Sequence, residues 1–181
     1  SYRSNTDYGF IRFNAMEGDW IAFTIKNPGK SAKWAITLTH VASIAGAEEA
    51  KVYILPADTE DISAAIAAAS EIGTVNQYNA KVGSKDAPNI AATTSNVGEW
   101  QSGDAEEYIV VLQAAKKHAD ATEAYLYLSQ LTMIPAEDYV PAVEMVEAET
   151  AYEAIIPSYT GMKSATGEVN GHDYVYIVFK G

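Results

Sequence analysis

Between Tyr8 and Met133 the chain is a succession of short runs in which every second residue is apolar, separated by turn residues. A period of two marks strands with one buried face, and a chain built from many such runs must form a sheet that closes or stacks on another. In WIAFTI (20–25) Ile21, Phe23 and Ile25 share one face, with Trp20, Ala22 and Thr24 on the other. KWAITLTHVA (33–42) places Trp34, Ile36 and Leu38 together, opposite Ala35, Thr37 and Thr39. YGFIRF (8–13), AKVYILP (50–56), IGTVNQY (72–78), EEYIVVLQA (106–114), EAYLYLSQLTM (123–133) and HDYVYIVFK (172–180) continue the series. Seven or eight such strands with tight turns predict an all-β fold, a jelly-roll-like antiparallel β-sandwich. Between two of them, NPGK (27–30) reads as a type II turn.

One stretch breaks the alternation. DTEDISAAIAAAS (58–70) predicts a short inserted helix, capped by Asp58 or Thr59, with Glu60 and Asp61 in its first turn, where the helix dipole favours anions. Ile62 and Ile66 lie four apart and would face the sandwich, leaving alanines on the outside that could form an interface. After Pro135 the texture changes. Residues 136–156 are acidic and either helical or irregular, and 158–171 are rich in turn residues. The expected organisation is a sandwich over 1–136 and a C-terminal extension, 137–181, which docks on the sandwich, supplies an extra strand or starts the next domain.

The 181 residues suffice for a full-sized domain with its own core. Cysteine is absent, which removes disulfides, thiolate metal sites and thiol catalysis. With 24 acidic against 12 basic side chains the net charge is −12, and a phosphate backbone would be repelled, so no nucleic acid is expected as a partner. No apolar run approaches the ~20 residues that span a bilayer, so no membrane span is expected. The sequence starts at Ser1 without a basic leader or apolar h-region, and the expectation is a removed signal peptide or a piece of a longer protein.

Catalytic chemistry finds little support. His40, His118 and His172 have no ligand spacing, and no nucleophile elbow, phosphate loop or EF-hand loop is present. Glu48–Glu49, Glu60–Asp61 and Glu106–Glu107 are chain neighbours and read as solvated faces rather than carboxylates opposed across a sugar. GDAEE (103–107) and the acidic 137–149 tract could supply oxygens to a calcium ion, although neither meets a known loop spacing.

Aromatic residues beside planar polar ones are more informative, because a sugar presents an apolar C–H face for stacking and hydroxyls for hydrogen bonds. Trp100 stands in SNVGEWQSGD with Asn96 and Gln101 near it, Tyr8 opens a strand that carries Arg12, and Tyr78 lies in NQYN. These six residues form the candidate carbohydrate-binding set, with the alternative that the aromatics merely cover the sandwich rim. Arg3, Arg12 and Lys81 could receive an acidic sugar. Trp20 should lie outside the main core, in a structural role under the helix or the C-terminal segment, and Trp34 inside it.

Taken in order, EGDWIAFTIKNPGKSAKWAITLTHVAS (17–43), AKVYIL (50–55), IGTVN (72–76), GDAEEYIVVLQA (103–114) and YLYLSQLTM (125–133) resemble the strand pattern of family 6 and family 35 carbohydrate-binding modules, over roughly residues 8–133. The chain is also similar to accessory modules of secreted bacterial polysaccharide lyases, glycosidases and surface-layer proteins. The resemblance implies a secreted or cell-surface module that binds polysaccharide without cleaving it, is joined to a catalytic domain, and often holds a structural calcium. It also implies ligand roles for Tyr8 and Trp100. Ser129 and Gln130 stand where the pattern has an asparagine, and helix 58–70 is an insertion. A second function class remains open: a structural subunit of a surface layer or filament, assembled by strand addition through 172–180.

Overall fold

A computed structural model describes residues 10–81 and 92–137, together with the backbone of Asp138 and of the strands 2–5, 162–169 and 172–179. Twelve strands are present among the described residues: β1 (Tyr2–Asn5), β2 (Phe10–Phe13), β3 (Trp20–Lys26), β4 (Lys33–His40), β5 (Ala47–Pro56), β6 (Gly73–Val75), β7 (Thr93–Gln101), β8 (Glu107–Lys117), β9 (Leu126–Leu128), β10 (Gln130–Pro135), β11 (Met162–Val169) and β12 (His172–Phe179). One helix, α1 (Ile62–Ala68), lies between β5 and β6. The strands form three antiparallel sheets in the orders β3-β8-β5-β6, β11-β12-β10-β4-β7 and β1-β2-β9, which is an all-β sandwich.

The alternation read from the sequence sets the layers. Ile21, Phe23 and Ile25 of β3 meet Trp34, Ile36 and Leu38 of β4 in one core, joined by Val110 and Leu112 of β8 and by Leu131 and Met133 of β10. The opposite face of the β3-β8-β5-β6 sheet carries a second cluster, in which Ala22, Tyr53, Ile109 and Val111 lie under Ile62 and Ile66 of α1. The two isoleucines thus do what their spacing predicts, each removing its side chain from water on the helix's inner side. The helix starts later than expected. Its N-cap is Asp61, whose carboxylate accepts from the Ala64 N–H at 2.9 Å, and no acidic residue occupies its first turn.

Other stretches differ in detail from a plain alternation of strands and turns. NPGK is not a type II turn, because the left-handed residue is Ser31, with φ of 52°. Gly29 is there for space, since a Cβ would stand 2.9 Å from Cζ2 of Trp34. Residues 93–101 form a full strand, β7, paired with β4 across a bulge at which Ile36 faces Gly98 and Thr37 faces Asn96, so Val97 is the extra residue. In the turn-rich stretch 158–171, residues 162–169 are a strand, β11, whose partner β12 also pairs with β10. Across the composition break near 136, Gln130–Met133 pair with Val178–Val175. The acidic 139–156 stretch lies outside the described residues, as does Tyr8.

Candidate functional site

Three loops meet at the end of the sandwich where β4 finishes: 41–46, 76–81 and 118–125. Ser43 N–H donates to the Gln77 carbonyl and Asn79 N–H to the Ser43 carbonyl, at 3.0 and 2.9 Å, while Tyr125 and Ala45 bond through Tyr125 N–H at 2.7 Å. Beneath them lies a buried polar hub. The Gln77 side chain donates from Nε2 to the Tyr127 carbonyl and accepts from the Tyr127 N–H, both at 2.8 Å, and the Ser43 and Tyr127 hydroxyls lie 2.6 Å apart. With every partner satisfied, such a network fixes its loops in one arrangement.

On this base stands Tyr78. Its ring is half-buried and lies flat on the His118 imidazole, with centroids 3.7 Å apart and planes 4° from parallel. The Tyr78 and Lys81 amides are held by the Asn76 and Asn79 side chains at 2.8 and 3.0 Å. The Asp120 N–H donates to His118 Nδ1 at 3.2 Å, which places the proton of the neutral ring on Nε2. An open hollow of about 280 Å³ runs beside the stack, bounded by Tyr78, Ile44, Ala80, Asp120, Thr122 and Glu123. Ile44 is among the exposed large apolar side chains. A flat ring, a small apolar wall and carboxylate acceptors are what a pyranose needs, since one of its faces is C–H and its rim is hydroxyl.

The other candidate residues are spread more widely. Arg12 is buried: its Nε donates to Asn14 Oδ1 at 2.9 Å, and its guanidinium carbon lies 5.1 Å from the centre of the Tyr125 ring. Its charge is turned inward, under the same loop end as Tyr78, and is not presented to an acidic sugar. Trp100 is in the core, 8% exposed, paired in register with Trp34 and edge-on to Tyr108 at 4.8 Å. The aromatic expected outside the core at this position is thus inside it, because the bulge at Val97 turns the end of β7. Asn96 and Gln101 are exposed on the same strand. Gln101 borders a second cleft, about 600 Å³, between the NPGK turn and the end of β10. Eight residues of β4, about 23 Å, separate that cleft from the Tyr78 end. Tyr78 and Gln101 therefore sit at opposite ends of β4.

Trp20 lies outside the main core as expected, 37% exposed, with its indole N–H donating to Ser63 Oγ of α1 at 3.1 Å. In the GDAEE turn the polar groups bond to the neighbouring NPGK turn. Asp104 accepts from the Ser31 hydroxyl at 2.9 Å, Glu106 is paired with Lys30, and Asn27 ties down the carbonyls of Gly103 and Ala105. Among the described residues no three Asp, Glu or His side chains converge to hold a metal ion, and no helix is long and apolar enough to cross a membrane. The residues that sequence reading missed are Ser43, Gln77, His118 and Tyr127. A glutamine that pairs with a backbone fifty residues away leaves no periodic trace.

No protein-family profile matches the chain, and no curated protein matches it in sequence. Among solved structures it is similar to part of a xanthan lyase from Paenibacillus, with a TM-score of 0.53 and 10% identity, over 97% of this chain. The chain spans 15% of the length of that lyase. At this identity the likeness is one of fold.

Proposed function

We propose that the chain is a noncatalytic glycan-binding module of a larger secreted bacterial enzyme acting on polysaccharide, and that it holds sugar at Tyr78. The observation that carries this reading is the half-buried Tyr78 ring, stacked on His118 above a bonded loop base and belonging to a residue that borders the hollow. A platform held this firmly has little conformational freedom to lose on binding, so a weak stacking contact is not offset by ordering. Asp120 and Glu123 supply acceptors for hydroxyls and repel carboxylates, which favours neutral over uronic sugars. The fold shared with part of a polysaccharide lyase supports the setting, because the matched portion is a small share of that enzyme's length. Strand addition by 172–180 is less well supported, since β12 is paired on both edges within its own sheet.

The test is affinity gel electrophoresis against xanthan, hydroxyethylcellulose and polygalacturonate, with the Tyr78→Ala variant alongside. Retardation by at least one of them that the variant loses is expected. Migration unchanged by all three, or retardation that survives Tyr78→Ala in full, would overturn the reading.

A further inference from the structure

The outer face of the β3-β8-β5-β6 sheet is only partly covered by α1. Cross-strand partners point to the same side of a sheet, so the register defines what lies next to the helix. Trp20 faces Gln113, Gln113 faces Lys51, and Lys51 faces Thr74. One row thus crosses all four strands. The adjoining row inside it, Ala22, Val111 and Tyr53, belongs to the cluster beneath Ile62 and Ile66. The Trp20 row lies just beyond that cluster: Trp20 and Thr74 are exposed, Gln113 and Lys51 half-buried.

Its chemistry is not that of an ordinary solvated face. It begins with an indole held by Ser63, continues with a planar amide whose Oε1 accepts from the Tyr53 hydroxyl at 3.3 Å, and reaches an ammonium 3.4 Å from Glu71. Each group is tethered by a neighbour, so the row is preorganised. It is about 14 Å long, three strand spacings. From its Thr74 end only four residues of chain, at most about 14 Å, lead to Tyr78.

We infer that this row is a second contact surface for the same polysaccharide chain, continuing the Tyr78 site across the sheet and ending on the Trp20 ring. The inference rests on the glycan-binding reading of Tyr78 and adds the length of chain that the module grips. An extended glycan fits better than a compact ligand, because stacking and hydrogen-bonding groups follow one another along a line rather than converging on a point. Two weak contacts on one chain act at high effective concentration, so a long polymer gains affinity that a short oligomer lacks.

Trp20 is its own reporter. The other two tryptophans, Trp34 and Trp100, are 4% and 8% exposed, so acrylamide quenching of indole fluorescence reads Trp20. Quenching is measured with xanthan, hydroxyethylcellulose and polygalacturonate added in turn to the whole chain. The polymer that retards the chain in gels is expected to shield Trp20 from acrylamide, and Trp20→Ala is expected to weaken retardation by about tenfold, as loss of one anchoring aromatic does. Should a polymer be bound through Tyr78 while acrylamide still reaches Trp20 freely, the row is overturned and the Tyr78 site stands. Should none of the three polymers bind, both fall together. The quenching readout needs no variant and so does not depend on Trp20→Ala folding well.

Discussion

Gln77 and Tyr127 pair as two strands would: the side-chain amide of one closes a two-bond ring with the backbone of the other, both bonds at 2.8 Å and both residues buried. A side chain here takes the place of a strand edge. Gln77→Ala would remove both of these buried bonds to the Tyr127 backbone, and a loss of about 2–4 kcal/mol in urea unfolding is expected. Gln77→Glu should also destabilise, because a carboxylate can accept from the Tyr127 N–H but then faces the Tyr127 carbonyl with no proton to donate.

Gly46 touches the same hub from the other side. A Cβ at this position would stand 1.8 Å from the Gln77 carbonyl oxygen, which is backbone and cannot swing away. Gly46→Ala is expected to cost about 3 kcal/mol or more and to loosen the loops that carry Tyr78. Gly18→Ala is the matching control. Its φ of +94° strains a side chain, but nothing lies within 4 Å, and a cost of about 1–2 kcal/mol is expected from the same unfolding curves.

His40 gives the fold a pH dependence. It is 3% exposed, and burial pushes its pKa below the ordinary 6.5, opposed by the bond to the Val41 carbonyl. That bond keeps a proton on Nδ1, so Nε2 accepts from Ser95 at 2.9 Å in the neutral ring. The unfolded chain therefore takes up the proton first as pH falls. The stability tied to His40 is complete above 6.5. Below it, stability is lost at up to about 1.4 kcal/mol per pH unit until the folded state also protonates. Denaturant midpoints measured across this range should slope downward with acid, and the slope should shrink in His40→Gln.

Trp100 is expected to behave as core. Trp100→Ala should cost about 3–5 kcal/mol, Trp100→Phe less, and a Trp100→Phe protein that folds should be retarded by polysaccharide as the parent is. Thermal melts and gels on the same samples separate the two effects. Loss of sugar binding in a folded Trp100→Phe variant would place a ligand contact on this ring.

Where strands were legible, one face alone carried the signal. Ile21, Phe23 and Ile25 alternate without a break, and β3 lies where the pattern puts it. In β7 the extra residue Val97 shifts the parity, so Val97 and Trp100 both point into the core although they are three apart. No count by twos would place them together, and from its Gly and Ser neighbours Trp100 reads as a residue of a loop or strand end. At the helix start Asp58, Thr59 and Asp61 all have N-cap chemistry, and only the bond from the Ala64 N–H to Asp61 distinguishes them. At the candidate site Tyr78 was legible from its asparagine neighbours. His118 was not, because its partner lies forty residues away and the contact depends on three loops folding onto one another.

The twelfth strand sits inside its sheet, with β11 on one flank and β10 on the other. On a ribosome the β3-β8-β5-β6 sheet has all its strands once Lys117 has emerged, whereas β10 must wait some forty residues more for the neighbour that closes its edge. Until then a nascent chain carries an unsatisfied ladder, open to any stray segment of matching pattern. Halting synthesis after residue 136 would make that interval permanent and produce a half-finished sandwich prone to sticking to its own kind.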